Sequence, residues 1–300
     1  MRLFNAGIYT SNFDLLGSVY ARLTEGERAQ RDSCENFLES YHYIHSQRYV
    51  DKLRRDGIKV FLDSGAFSAF TQGVTIDIGK YCDYIHANRD IIEEASVLDA
   101  IGDYKGTWHN QADMERRGVR PLPCFHYGEP LEVLDYYVEN YEYITIGGMV
   151  PISTPQLKIW LDRLWDEHLT NADGTPKIRV HGFGLTSLPL MFRYPWYSVD
   201  SSTWVQWAAN GMILVPGRAG QIDVSNKSSR RKQANQHLDS LAPIVTEAIE
   251  QEIRTMGGDP DRLRDLYYSR WAWNAWAFPK YAEAKEWEGD RFTTVEQRLF

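Results

Sequence analysis

The chain has 300 residues, 43% of them hydrophobic, and a formal net charge of −8. This length suits one globular barrel, which typically needs about 250 residues, plus a small appendage. No apolar run approaches the roughly 18 residues that span a bilayer, so we expect no membrane partner. The acidic balance does not favour a nucleic-acid binder, although one basic face would be enough for binding.

The N-terminus and the cysteines indicate a compartment. The first seven residues lack the apolar core of a signal peptide. The three cysteines are scattered and form no Cys-x-x-Cys pair, which argues against a disulfide framework and a zinc knuckle. We therefore expect a cytoplasmic, reduced protein, in the host cytoplasm if the chain is viral. The three cysteines are Cys34, Cys82 and Cys124.

Short apolar runs alternate with longer amphipathic stretches, a pattern typical of βα units around a parallel sheet. Eight such strands with intervening helices predict an α/β fold that closes into a (β/α)₈ TIM barrel. An open doubly wound sheet is the alternative. The predicted strands cover residues 3–9, 58–62, 96–101, 122–126, 143–146, 178–183, 196–199 and 212–216.

Two helices are predicted between these strands from their apolar stripes. The first covers residues 35–53, where Phe37, Tyr41 and Ile44 fall on one face. The second covers residues 154–168 and begins at a Thr-Pro pair that is typical of a helix start.

The pattern changes after the eighth predicted strand. Residues 229–256 predict a long polar helix that is broken near Pro243, and Asp259 begins another that carries Trp271, Trp273 and Trp276. We therefore expect a catalytic barrel over residues 1–225 and a helical extension, packed on the barrel, over residues 226–300. The three tryptophans could stack on bases, but packing of the extension is favoured.

Carboxylates follow the second, third and seventh predicted strands, at Asp63, Asp99 and Asp200. In a parallel barrel the strand ends surround the mouth where chemistry takes place. A partly desolvated carboxylate there can act as a nucleophile or as an acid/base. Each Asp alone would more often cap the following helix. Glycines at other strand ends, which would admit a flat ligand, favour a site: Gly147, Gly148, Gly182 and Gly184.

Two carboxylates that flank a glycosidic carbon form a known chemical unit. One attacks the anomeric carbon to give a covalent glycosyl-enzyme, and the other protonates the leaving group and later deprotonates the incoming one. The spacing alone does not identify the sugar.

Three motifs resemble those of the tRNA-guanine transglycosylase superfamily, in the same order. Residues 63–67 (Asp-Ser-Gly-Ala-Phe) resemble its Asp-Ser-Gly-Gly-Phe/Tyr-Gln motif, residues 147–149 (Gly-Gly-Met) resemble its Gly-Gly-Leu loop, and Asp200 falls where the family carries its nucleophile. Residues 181–188 and 194–201 are more similar to the phage and bacterial branch that inserts 7-deazaguanine derivatives into DNA. The resemblance covers about residues 1–220.

The resemblance implies a base-exchanging glycosyltransferase, a pentosyltransferase that acts on DNA. Asp200 would attack C1′ and expel guanine, Asp63 would be the general acid/base, and Asp99 would hydrogen-bond a free base such as 7-cyano-7-deazaguanine. No metal or other cofactor is expected. The remaining base-binding candidates are Ser64, Gly65, Phe67, His126, Tyr127, Gly147, Gly148, Met149 and Gly184.

Departures from the family pattern bear on the polymer. Ser68 replaces a family Gln, and Tyr127 or His126 replaces the Gln that reads the base. No cysteine follows Cys124, so the family's zinc site, made of three Cys and one His near the C-terminus, is absent. This favours DNA. The alternatives are a queuine- or archaeosine-type enzyme acting on tRNA, and a catalytically silent nucleic-acid-binding subunit.

A basic cluster follows the eighth predicted strand. It could neutralise phosphates, although such a run is also typical of a solvated surface turn. The sequence predicts neither the target sequence nor the oligomeric state, for which a homodimer is one option. The phosphate-binding candidates are Arg218, Lys227, Arg230, Arg231 and Lys232.

Overall fold

The computed structural model describes residues 1–185, 187–218, 220–284 and 292. The end of the predicted extension, residues 285–291 and 293–300, and Thr186 in the motif over 181–188, lie outside the described residues. The chain divides into two compact units. The first unit contains Met1–Thr10 and Asn36–Ser201, and the second contains Ser11–Glu35 and residues 202–284. The boundary at residue 225 between barrel and extension stays a prediction.

Strands and helices alternate through the first unit, as the sequence predicts. The described strands are β1 (Arg2–Ala6), β2 (Phe37–Ser40), β3 (Val60–Asp63), β4 (Ile92–Ala95), β5 (Cys124–His126), β6 (Tyr143–Gly147), β7 (Arg179–Gly182), β8 (Ser198–Ser201), β9 (Met212–Leu214) and β10 (Gln221–Asp223). The described helices are α1 (Glu25–Asp32), α2 (Tyr41–Ile44), α3 (Gln47–Asp56), α4 (Ala66–Thr71), α5 (Ile78–Ala87), α6 (Tyr104–Arg116), α7 (Leu131–Asn140), α8 (Thr154–Arg163), α9 (Leu188–Met191), α10 (Thr203–Ala209), α11 (Pro243–Thr255), α12 (Pro260–Asp265) and α13 (Tyr267–Ala284).

The first unit is built on one eight-stranded sheet. Every pairing in it is parallel, and the order is β4-β3-β2-β1-β8-β7-β6-β5. This is the cyclic order of a (β/α)₈ barrel that is opened between β4 and β5. At that opening one isolated parallel bridge joins Ser96, just after β4, to Leu122, just before β5. The predicted α/β class with eight parallel strands is confirmed, but the curled sheet is compatible with a TIM-barrel-like fold without being a closed barrel.

One helix prediction and one strand prediction are wrong. The stretch predicted as one helix over residues 35–53 begins with β2, because Phe37 and Leu38 are buried in a strand that pairs with β1 and β3. This tertiary pairing overrides the helical stripe. The eighth predicted strand, residues 212–216, contains β9, which pairs antiparallel with β10 in a separate sheet of the second unit. Asp63 and Asp200 therefore lie on the third and eighth strands of the sheet.

Element boundaries differ elsewhere. β4 ends at Ala95 instead of covering residues 96–101, so Asp99 lies in the following loop. The long helix predicted over residues 229–256 begins only at Pro243, whose missing N–H and fixed φ suit the first turn. The predicted start at Asp259 is confirmed, since its carboxylate caps α12.

An apolar cluster fills the interior of the curled sheet. Each of these side chains contributes roughly 1.5–3 kcal/mol when it is fully buried. Because β1 and β8 are paired with Phe4 opposite Asp200, the acid lies beside this cluster. The five buried residues are Phe4, Leu38, Phe61, Leu122 and Tyr143.

Helix α13 forms the centre of the second unit and packs on α1, α10 and β9. Trp273 is fully buried and donates its indole N–H to the Leu214 carbonyl over 2.6 Å. Trp271 lies edge-to-face against Phe13 and Trp204. These two tryptophans therefore pack a core instead of presenting faces to a base. No described helix is long and apolar enough to cross a membrane.

Candidate active site

Asp63 is the last residue of β3, and its carboxyl lies in a strongly desolvated position. Burial, followed by the charges of Asp99 and Asp200, raises the pKa of Asp63 to about 7. The backbone N–H of Gly65 donates to Asp63 Oδ2 over 3.0 Å. Because charges influence one another strongly only at short range in a folded protein, Asp99 and Asp200 lie near Asp63. A carboxyl with this pKa can both give and take a proton at neutral pH.

The turn after Asp63 requires a glycine. Gly65 has φ +74°, and a Cβ there would lie 2.2 Å from Ser40 Oγ and 2.5 Å from His42 Cβ. Ser64 is fully buried, and its N–H donates to Ser96 Oγ over 3.0 Å. These two residues therefore fix the turn.

Asp200 lies within β8 and is 6% exposed. Its Oδ1 accepts two hydrogen bonds, from Gly184 N over 2.8 Å and from His181 Nε2 over 3.2 Å. Gly184 has φ +59°, so the turn after β7 uses the left-handed region to aim this N–H at the acid. The two donors hold the carboxylate in one orientation.

His181 lies beside Asp200, and no motif in the sequence predicts a role for it. It is fully buried on β7 and stacks on Phe61 with ring centroids 4.6 Å apart. Its Nδ1 lies 2.7 Å from Ser198 Oγ, which lies 2.6 Å from the Tyr143 hydroxyl. Since the Asp200 carboxylate is an acceptor, Nε2 carries the ring proton. The Tyr143 hydroxyl then donates to Ser198 Oγ, and the Ser198 hydroxyl donates to Nδ1. A strand histidine in a predicted barrel was the available signal, but its partners lie 17 and 19 residues away.

A second polar cluster lies at the end of β5. His126 Nε2 is 3.3 Å from Asp99 Oδ2, and His126 Nδ1 is 2.8 Å from Glu129 Oε1. Burial opposes the imidazolium, but Cys124 and Asp99 outweigh it and raise the pKa of His126. Burial raises the pKa of the Cys124 thiol to about 11, so the sulfur is uncharged at neutral pH. The Asp99 carboxylate is therefore the partner that favours the imidazolium.

The glycines that end β6 lie against this cluster. Gly147 pairs with His126 in the sheet, and its carbonyl accepts from Tyr127 N over 3.2 Å. Gly148 has φ +68°, and a Cβ there would lie 3.1 Å from His126 Cβ. Met149 is buried. The backbone of this loop thus packs closely against His126, and a side chain at Gly148 would not fit.

The two aromatic residues predicted to bind the base differ in exposure. Phe67 on α4 is 57% exposed, so its ring is available to a ligand. Tyr127 is 37% exposed and lies against Trp160, with ring centroids 5.0 Å apart.

The basic candidates lie in the second unit, and their arginines have acidic partners. Arg218 pairs with Glu252 at 2.6 Å, Arg231 with Asp239 at 3.0 Å and Arg230 with Asp223 at 3.4 Å. These carboxylates offset much of the positive charge that phosphates would meet. Two lysines of the cluster are exposed, Lys227 and Lys232.

No model of a known protein family matches the sequence. No curated protein matches it either. The resemblance to the transglycosylases therefore stays a prediction that rests on the motifs around Asp63, Gly147 and Asp200.

Proposed function

We propose that the protein is a DNA transglycosylase that exchanges guanine for a 7-deazaguanine derivative such as 7-cyano-7-deazaguanine. The observation that carries the proposal is the pair of carboxylates at the ends of β3 and β8. Asp200 is buried and oriented by two N–H donors, and the pKa of Asp63 is raised to about 7. In this proposal the curled sheet acts as a (β/α)₈ barrel whose strand ends surround the flipped nucleotide.

Asp200 is the nucleophile of the first step. Its Oδ1 is held by His181 and Gly184, which leaves Oδ2 to form the bond to C1′. The bond between C1′ and N9 breaks, and its electron pair leaves with guanine. Asp63, which is partly protonated at neutral pH, donates the proton that makes guanine a neutral leaving group.

Asp63 acts as a base in the second step. Its carboxylate removes the N9 proton of the incoming deazaguanine, and N9 then attacks C1′. The bond between C1′ and Asp200 breaks and the acid is restored. The exchange needs no oxidant or nucleotide, since one glycosidic bond replaces another.

Three features support a pocket for a guanine-like base. The Asp99 carboxylate can accept hydrogen bonds from the N–H groups on the pyrimidine edge of such a base. The loop of Gly147 and Gly148 brings backbone groups to the same place, and Phe67 offers an exposed ring for stacking. Together these contacts suit a flat heterocycle with N–H donors on one edge.

DNA is the proposed polymer because the cysteines of the zinc site of the tRNA-modifying enzymes are absent from the sequence. Extruding a nucleotide from a duplex costs a few kcal/mol, which contacts to the flipped base and the backbone must offset.

The test is to incubate the protein with guanine-containing duplex DNA and 7-cyano-7-deazaguanine, and to analyse the nucleosides by mass spectrometry. We expect incorporation, together with a protein–DNA adduct that survives denaturing electrophoresis. Asp200→Ala should lose both, by about 10⁴-fold or more in rate. Incorporation into tRNA alone would reassign the polymer. No incorporation into either polymer, or unchanged incorporation by Asp200→Ala, would refute the proposal.

A further inference from the structure

We propose that Asp99, Cys124 and His126 form a zinc-binding site at the end of β5. One ligand atom from each residue, a carboxylate oxygen, the thiol sulfur and an imidazole nitrogen, lies within 4.8 Å of the other two. Zn²⁺ binds this combination of donors at about 2.0–2.3 Å, which puts atoms around a shared ion roughly 3–4 Å apart. The distance of 3.3 Å between Asp99 Oδ2 and His126 Nε2 lies in that range.

The strand geometry explains why these donors meet. Cys124 and His126 are two residues apart on β5, so both side chains leave the same face of the sheet. The parallel bridge between Ser96 and Leu122 brings the loop that carries Asp99 alongside. Gly147, the sheet partner of His126, leaves the necessary space, since a Cβ there would lie 3.1 Å from Cys124 Sγ.

Glu129 gives His126 the orientation of a metal ligand. Glu129 Oε1 is 2.8 Å from His126 Nδ1, so it accepts the proton on that nitrogen. When a metal ion displaces the proton on Nε2, that nitrogen directs its lone pair at Asp99 and Cys124. Metal-binding histidines commonly have such a carboxylate on the second nitrogen.

Asp99 supplies an independent observation. Its Oδ1 is buried and has no hydrogen-bond partner within the described residues. A buried carboxylate oxygen without a partner is costly, and a cation would satisfy it. An imidazolium between Asp99 and Glu129 would use the same two carboxylates, but it would leave this oxygen without a partner. A zinc ion engages the whole cluster.

Three protein ligands leave a fourth position open, as in catalytic zinc sites. With the ion bound, Asp99 and His126 would be its ligands and a water molecule or an atom of the bound base would take the fourth position. Asp99 would then act on the base through the ion and not by direct hydrogen bonds. The inference does not rest on the proposed exchange reaction, because Asp63 and Asp200 are not among the ligands.

The test uses the full chain, freed of metal by a chelator and titrated with Zn²⁺ and Co²⁺. We expect one ion per chain and, with Co²⁺, the charge-transfer absorption of a thiolate ligand. Cys124→Ser should abolish this absorption, and Glu129→Gln, which keeps the shape of the side chain, should weaken binding about 10- to 100-fold. Cys82→Ser is the matched control, since Cys82 is also buried but lies on α5.

Two results would contradict the zinc site. No stoichiometric binding, or binding that Cys124→Ser and Glu129→Gln leave unchanged, would overturn it. Asp200→Asn should bind metal as the parent protein does. Loss of base exchange in that variant with retained metal binding would thus separate the zinc site from the proposed function.

Discussion

The ends of β3 and β8 carry the same residue type in different surroundings. Asp63 is desolvated beside two other acids and accepts from Gly65 N, whereas Asp200 accepts from an imidazole and a backbone N–H on one oxygen. The surroundings of Asp63 raise its pKa to about 7, so this carboxyl can exchange a proton at neutral pH. The surroundings of Asp200 fix the orientation of its carboxylate. Two acids in such different environments can divide acid/base and nucleophilic work between them.

The largest effect expected from this comparison concerns the rate. Asp63→Asn keeps the size of the side chain but cannot transfer a proton, so we expect kcat/KM for base exchange to fall about 10²- to 10⁴-fold. The adduct at Asp200 should still form, but slowly, which quenched-flow electrophoresis would measure. Complete loss of the adduct in Asp63→Asn, equal to that in Asp200→Asn, would remove the proposed division between the two acids.

The pH dependence of stability tests the environment of Asp63 without any substrate. Because its pKa is raised from 3.8 to about 7 in the folded state, the native protein binds this proton more tightly than the unfolded chain between those values. The free energy of unfolding therefore falls as the pH rises through this window, by up to about 4 kcal/mol. Asp63→Asn should lack this fall.

Urea unfolding at pH 4 to 8 would measure the difference. The stability of Asp63→Asn relative to the parent protein should increase with pH and level off above pH 7. Asp83→Asn, at an exposed position on α5, is the control and should follow the parent protein. Parallel curves for all three proteins would contradict the desolvated environment that we assign to Asp63.

Substitutions of His181 test the surroundings of Asp200. His181→Phe fits a site that already contains Phe61 but removes the donor to Asp200 Oδ1. We expect kcat to fall about 10- to 100-fold with KM for the base unchanged, because Asp200 loses its orientation and not its charge. His181→Gln, whose amide can donate, should recover part of the rate.

A purely structural role for His181 would give a different result. In His181→Phe the Ser198 hydroxyl keeps its contact with Tyr143 but loses its acceptor, the His181 Nδ1, which costs about 1–3 kcal/mol of stability. Such a loss alone would lower the fraction of active protein, measured from the adduct burst, and leave the rate per active site unchanged.

The sequence predicted the ends of strands better than the contacts between residues that are distant in the sequence. Asp63 and Asp200 could be found because an acid after a buried strand is a local pattern, and β3 and β8 show it. The strand that contains Phe37 could not be predicted from local patterns, because its residues show a helical stripe. Only the pairing of this strand with β1 and β3 overrides that stripe. The contact of His181 with Asp200 depends on which strands are neighbours.

The spacing of two of the proposed zinc ligands is a weaker local pattern. Cys124 and His126 alternate on one strand, so they share a face of the sheet. Asp99 joins them only through the edge of the sheet near Leu122, where the ladder shrinks to a single bridge. Local spacing therefore predicts pairs of residues, and the sheet order is needed to assemble the whole site.

The smallest expected effect concerns the basic cluster, where paired and exposed cations can be compared. Each phosphate contact contributes about one unit to the slope of log affinity against log salt concentration. Lys227→Ala with Lys232→Ala should reduce the slope for duplex DNA by about two. Arg231→Ala should reduce it by less than one, because Asp239 already offsets that charge. Fluorescence anisotropy at several salt concentrations would measure these slopes, and an unchanged slope in the lysine variant would place the phosphate contacts elsewhere.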